Sequence, residues 1–458
     1  MKNTFLILIL LLFITSVGYA QQAAPPVNQP RSFTLQDCIN YAYEHQDSVV
    51  NAGLDVKSAE YKIKETKATG LPQLNGSATF QDYTRAPVQV GPDFSKALSG
   101  QPLDPNARLV AFPIGPVQYN NTYGLSATQL LFSGTFFVGL QAAKTYKELY
   151  VRSYTRSKIQ TNVNVTKAYY QVLVSNEQIK LLDANITQLK QQFDQTTQQN
   201  KQGFVEKIDV DRLAVQYNNL TTNRENVVRS LVLNYEVLKF QMGMPIQQDI
   251  TLADKLEDIH LDQQVTQSNT DTSFYHNRIE YNLLETNLKL NELDVKSKKA
   301  AFLPTLSANA GFATVYQENQ TRYLYQHFYP NNYIGLSLNV PIFSGGQRTA
   351  QLRQSQISVQ KSQNDLANVQ NALSLEASSA SVMYNNSLQS LNSQKRSREL
   401  AAEVLRVSTI KYQQGVGSSI EVTQAQTDFE NADNQYIQAL YNALISKVDM
   451  DKAYGKIH

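Results

Sequence analysis

Two stretches of this chain read as single helices of unusual length. From Thr135 to Asn200 there is no proline and Gly139 is the only glycine; from Gln347 to Gln414 there is neither. Proline removes a helical hydrogen bond and glycine loosens the backbone, so their absence leaves nothing to end a helix. A helix of about 65 residues spans roughly 100 Å, far beyond the usual globular length. In the segment after the first stretch, apolar residues recur thinly, at Leu213, Leu220, Val227 and Leu231. Gln, Asn, Ser and Lys fill much of the remainder. That is a narrow seam with a wet face. It suits a wall one helix thick better than a solid bundle.

Each stretch ends in a similar turn. Aligning Gly203 with Gly415 puts Phe204 on Val416, Ile208 on Ile420, Asp209 on Glu421 and Val210 on Val422. Glycine permits the left-handed backbone that terminates a helix. Ser418 or Ser419 can cap the returning helix, and a carboxylate in its first turn is favoured by the helix dipole. The repetition continues upstream. Leu71–Leu74 (LPQL) recurs as Leu303–Leu306 (LPTL), and Gly124–Gly134 (GLSATQLLFSG) as Gly335–Gly345 (GLSLNVPIFSG). Gly203 follows Gly134 by 69 residues, and Gly415 follows Gly345 by 70. The chain is therefore duplicated. Residues 21–245 form one repeat and 275–458 a second, joined by a linker over 246–274. Each runs helix, strand, loop, strand (at 73–132 and 305–343), then a long helical hairpin.

The strands alternate with period two. Leu74, Phe80, Leu125, Leu131, Leu306, Phe312, Leu336, Leu338 and Val340 fall on an apolar face, expected to meet lipid. Asn75, Ser77, Thr79, Ser307, Asn309, Ser337 and Asn339 fall on a small polar face, expected to line a lumen. Gln129 is a polar exception on the apolar side. Each strand has about the ten residues that a tilted strand needs to cross a bilayer. Four strands leave open edges, which lipid forbids, so other copies must complete the sheet. Two copies give eight strands, with an interior filled by side chains; three give twelve, wide enough for a lumen. The loops Tyr83–Gln118 and Gln317–Asn332 should face outward, with Phe80, Tyr83, Tyr316 and Tyr333 as boundary aromatics.

Residues 1–20 read as a secretory signal peptide. Lys2 precedes an apolar run from Phe5 to Ile14, and small residues stand at Gly18 and Ala20. Without Lys2 the formal charge falls from +2 to +1, with no basic tract to attract nucleic acid. The five histidines are scattered and Cys38 is the only cysteine. This argues against a metal site, a cofactor or an intrachain disulfide, and Cys38 reads as a buried small apolar residue. No catalytic set is legible: Asp209 and Asp211, two apart on a helix, do not face one another.

Taken in order, these motifs resemble those of the TolC-like outer-membrane efflux proteins of Gram-negative bacteria. The resemblance rests on the paired LPxL starts, the paired FSG exits (Phe132–Gly134, Phe343–Gly345), and the two glycine turns with Ile208–Val210 and Ala214, or Ile420–Val422 and Ala425. It covers essentially the whole mature chain. It implies a homotrimer with a twelve-stranded barrel in outer-membrane lipid, continuous with a periplasmic helical tunnel. It also implies a periplasmic adaptor and an inner-membrane pump of RND or ABC type as partners. Adaptor docking would map onto Gln202, Gly203, Phe204, Val205, Gln414, Gly415, Val416 and Gly417. Glu421, Gln424 and Asp209 would lie at the periplasmic constriction, with glutamine at 424 where the best-known member has a second carboxylate. The alternative is a non-conducting structural or adhesive coiled-coil stalk.

Overall fold

The structure, a computed structural model, describes residues 31–85, 88–91, 110–113, 118–256, 259, 261 and 274–457. The expected signal peptide lies outside them, as do most of the linker and much of the loop after Tyr83. Chain order is β1 (Arg31–Phe33), α1 (Leu35–His45), α2 (Asp47–Ala68), β2 (Gln73–Asp82), β3 (Val88–Gly91), β4 (Val110–Pro113), β5 (Tyr119–Phe132), α3 (Gly134–Lys201), α4 (Lys207–Met242), β6 (Ile250–Leu252), α5 (Ile279–Ala300), β7 (Thr305–Glu318), β8 (Tyr329–Asn339), α6 (Gln347–Gln413) and α7 (Ser419–Ala453).

The two proline-free stretches are indeed unbroken helices, α3 of 68 residues and α6 of 67. Each is too long for one partner, so two shorter helices share its length. Near the sheet α2 lies along α3, with Lys147 paired to Glu60 at 2.9 Å and the Ser157 hydroxyl donating to the Ser48 carbonyl. Farther away α4 takes over, through a seam of Leu182, Leu189, Leu213, Leu220 and Val227. Spacings of seven along both helices are the heptad of a left-handed coiled coil. The second repeat does the same: α5 meets the start of α6, where Asn291 Nδ2 donates to Ser362 Oγ at 2.6 Å, and α7 meets its far end through Leu405, Val422 and Ala425.

The shorter helices join end to end at matched glycines. Helix α4 stops at Gly243 (φ 70°), whose missing Cβ would lie 2.5 Å from the His45 carbonyl oxygen, just before α2 begins. Helix α7 stops at Gly455 (φ 67°), packed on Asn277 just before α5 begins. Beside this second junction Arg278 is buried, donating to Ala453 O, Glu280 and Glu376.

Around the middle of α3 the packing thickens into a solid core. Helix α1 and the parallel pair β1–β6 close over Val165, Tyr169, Val172, Leu238 and Met242. Asp254 accepts from the Leu35 N–H and the Tyr169 hydroxyl, which fixes the start of the expected linker. Cys38 lies fully inside this core, and burial pushes its thiol up to about 12.

The four long strands form one antiparallel sheet in the order β2-β5-β7-β8. Among the described residues β2 and β8 each pair on one side only. Both of these strands are exposed along their whole length. None of the described helices is long and apolar enough to cross a membrane.

Candidate functional site: the sheet wall and the helical tips

The strand register decides which side chains share a face. Leu74, Ala127, Ala310 and Ile334 lie in one row across the sheet, and Leu125 pairs with Phe312 in the next. Leu306 pairs with Leu338, and Ala308 with Leu336. Phe80 faces Asn121, which faces Tyr316. On the other face Asn75 pairs with Ser126, Ser77 with Gly124, Thr79 with Thr122, Asn309 with Thr128 and Gly335, Ser307 with Ser337, and Asn339 with Thr305. Alternation thus brings the expected apolar and polar sets together as two separate faces.

Three residues sit differently from expectation. A bulge between Leu130 and Phe132 takes Leu131 out of register, and Phe132 pairs with Leu306 in its place. Val340 lies one residue beyond the end of β8. Tyr333 stands on the polar face, opposite Gly311, and its ring covers the glycine where a Cβ would otherwise be. An aromatic ring laid over a strand glycine shields its bare backbone; the sequence offers no sign of that pairing. Gln129, the polar exception, donates to the carbonyls of Gly70 (2.6 Å) and Leu130 (2.8 Å), so its amide ties off backbone at the inner end of the sheet.

At the opposite end of the helices the two turns are nearly superimposable in their bonding. Gly203 and Gly415 have φ of 82° and 76°. Phe204 N donates to Gln199 O and Val416 N to Lys411 O, both at 3.0 Å, the six-to-one bond of a Schellman cap. The residue after each glycine is thereby thrown outward: Phe204 is 77% exposed and Val416 78%. Gln202, Gln414 and Gly417 flank them, and Val205 is half-buried. Between the turns lies a cleft of about 460 Å³ lined by Gln195, Gln199, Phe204, Tyr412 and Gln414.

The returning helices begin differently. Helix α7 is capped by Ser418, whose hydroxyl accepts from Glu421 N at 3.2 Å. Helix α4 starts at Glu206 with no side-chain cap. Ser419 donates to Asp209 of the other turn, and Arg212 Nη1 reaches both Asp209 (3.3 Å) and Ser419 Oγ (3.2 Å). Asp209 is therefore engaged between the hairpins, while Glu421 is exposed and its carboxylate has no partner among the described residues. Gln424 donates to Asp428 at 2.9 Å. Glu421, Gln424 and Asp428 make an exposed acidic stripe along α7, and Asp428 is a member that the turn motif did not mark. The Tyr412 hydroxyl is buried without a partner among the described residues; burial, then the nearby Asp209 charge, raises its pKa.

The profile of the family described as "Outer membrane efflux protein" matches residues 38–243 and 265–456. The chain belongs to that family. Like other outer membrane efflux proteins it resides in the outer membrane, with helices reaching into the periplasm. It is 24% identical over 323 residues to the outer membrane protein TolC of Escherichia coli (strain K12), covering 65% of this chain and 61% of that one. It is 25% identical over 413 residues to TolC of Salmonella enteritidis, covering 88% and 78%. The open-state MtrE outer membrane channel of Neisseria gonorrhoeae has the same fold, with a TM-score of 0.72, 16% identity, and coverage of 96% of this chain and 97% of that one. The fold of this outer membrane efflux protein is thus that of an outer-membrane channel.

Proposed function

We propose that this protein is the exit duct of a tripartite efflux or secretion system, working as a homotrimer. The observation that carries this reading is the sheet. Among the described residues it has two unpaired edge strands, β2 and β8, and two faces of opposite character. Unpaired edges are intolerable in lipid. Pairing β8 of one copy with β2 of the next closes the sheet, and three copies make twelve strands, an even number in the range of membrane barrels. The apolar face then meets lipid and the small polar face a wet lumen.

The duct has no chemistry of its own in this reading; energy comes from an inner-membrane pump coupled through a periplasmic adaptor. Phe204 and Val416, held outward by their glycines, are the docking contacts for that adaptor, and the polar cleft between the turns receives its side chains. Glu421 lines the constriction, with Asp428 two turns behind it. Tyr333 apart, the side chains lining the wall are mostly small and polar, so selection among cargoes falls to the pump. Native mass spectrometry in mild detergent, paired with planar-bilayer conductance, tests the assembly. Three chains and ion conduction are expected; a monodisperse monomer that still conducts would overturn the closure argument.

A further inference from the structure

The connection between β7 and β8 does not rise away from the sheet. After Glu318 it makes one short turn, Thr321–Tyr323, and folds back across the strands. Asn121 Nδ2 donates to the Tyr325 hydroxyl at 2.6 Å. Asn121 belongs to β5 and shares the apolar face with Phe80 and Tyr316. Tyr316 of β7 lies beneath the returning loop, its ring 5.2 Å from that of Tyr325 and 6.3 Å from that of Phe328. Leu324 and Asn121 are buried under the fold at 3% and 2% exposure. The loop therefore rests on the apolar face of the sheet, over the end of β7.

Beside the exposed polar Gln320, Gln326 and His327, the loop turns aromatic rings outward. The hydrogen bond is turned inward, toward Asn121. The rings of Tyr325 and Phe328 are left outside, each 60% exposed. They extend the apolar face that continues through Leu125 and Phe312. Arg322 stacks over the Tyr323 ring at 5.1 Å, an arrangement in which the aliphatic stem rides on apolar surface while the charge reaches a polar layer. Tyrosine bodies with polar ends gather where acyl chains meet headgroups.

We propose that the β7–β8 loop is a membrane-embedded foot. Tyr325 and Phe328 sit in the outer leaflet, at the boundary between acyl chains and headgroups, and Arg322 stands at the level of the lipid phosphates. The inference rests on the reading of the apolar face as the lipid face. The foot widens the lipid contact of this wall beyond what the strands supply.

The chain contains no tryptophan, so Phe328→Trp places a single fluorescent reporter on the loop of the full protein. Leu336→Trp reports on the strand wall and Phe204→Trp on the far tip. The probes are phosphatidylcholine vesicles carrying bromines at shallow or deep acyl positions, and aqueous iodide. Phe328→Trp is expected to lose emission to shallow bromines more than to deep ones and to resist iodide. Leu336→Trp should lose emission to brominated lipid, and Phe204→Trp to iodide alone. Quenching of Phe328→Trp by iodide but not by lipid, with Leu336→Trp still quenched by lipid, would overturn the foot and leave the wall intact. If lipid quenches neither, the lipid-facing reading itself fails and the foot fails with it.

Discussion

Asp209 and Glu421 occupy matched positions in the two turns yet have different surroundings. The hydroxyl of Ser419 and the guanidinium of Arg212 hold Asp209, whereas Glu421 is solvated and unpaired among the described residues. In the proposed trimer a free carboxylate near the three-fold axis would attract cations, so Glu421→Gln should weaken cation selectivity and block by trivalent cations. Asp209→Asn should leave selectivity nearly unchanged. Reversal potentials across a salt gradient check both; if neither mutant shifts them, the carboxylates only start helices. A second residue bears on pH. Burial raises the Glu430 carboxyl above its usual range; a hydrogen bond from Gln426 offsets part of this and the Asp433 charge adds to it. A carboxyl raised in the fold retains a proton that the unfolded chain releases. Its contribution to stability therefore falls as pH rises from the unfolded value, about 4.3, through the folded one. Glu430→Gln should raise the melting temperature at neutral pH, and the gain should vanish below about pH 4. Melts across that range decide it. The motif reading found Asp209 and Glu421 because both stand at fixed offsets from a glycine. What holds Asp209 and leaves Glu421 free is a contact between distant turns, which no motif marks.

Among the elements, the helices were legible and their junctions were not. Composition alone marked α3 and α6, and the heptad of Leu213, Leu220 and Val227 could be read directly. That α4 stops beside α2, and α7 beside α5, depends on chain ends far apart in sequence. Gly243 and Gly203 separate two costs that sequence cannot tell apart. Both have left-handed φ, but an added Cβ at Gly203 meets open space, whereas at Gly243 it meets the His45 backbone. Gly203→Ala should cost about 1–2 kcal/mol, the backbone penalty alone. Gly243→Ala should cost clearly more, since His45 and Gln46 must shift as well. Denaturation midpoints of the two variants test the ordering; equal losses would mean that the junction yields easily. The bulge at Leu131 escaped the sequence for a related reason, since alternation carries no mark of where one residue is extra.

At the scale of the whole molecule, the two faces of the sheet make the sharpest test. Ile334 is central in β8 and 92% exposed on the apolar side, while Ser337 lies on the polar side. A charge on the lipid face near the midplane costs about 2–4 kcal/mol, so Ile334→Arg should reduce the yield of assembled protein in outer-membrane fractions. Ser337→Arg should assemble and change conductance instead. Equal loss in both would place the strand outside lipid. The far end of the same assembly carries a different consequence. Because the two turns are alike in backbone but unlike in capping, the proposed ring of three chains would present six tips of two alternating kinds. A binding partner that reads only the outward Phe204 and Val416 has six seats. One that also reads the Ser418 cap, or the tie from Ser419 to Asp209, has three. In the proposed ring, the doubling of the chain would leave the count of attached partners to one serine-rich corner, Ser418–Ser419, and not to the symmetry of the assembly.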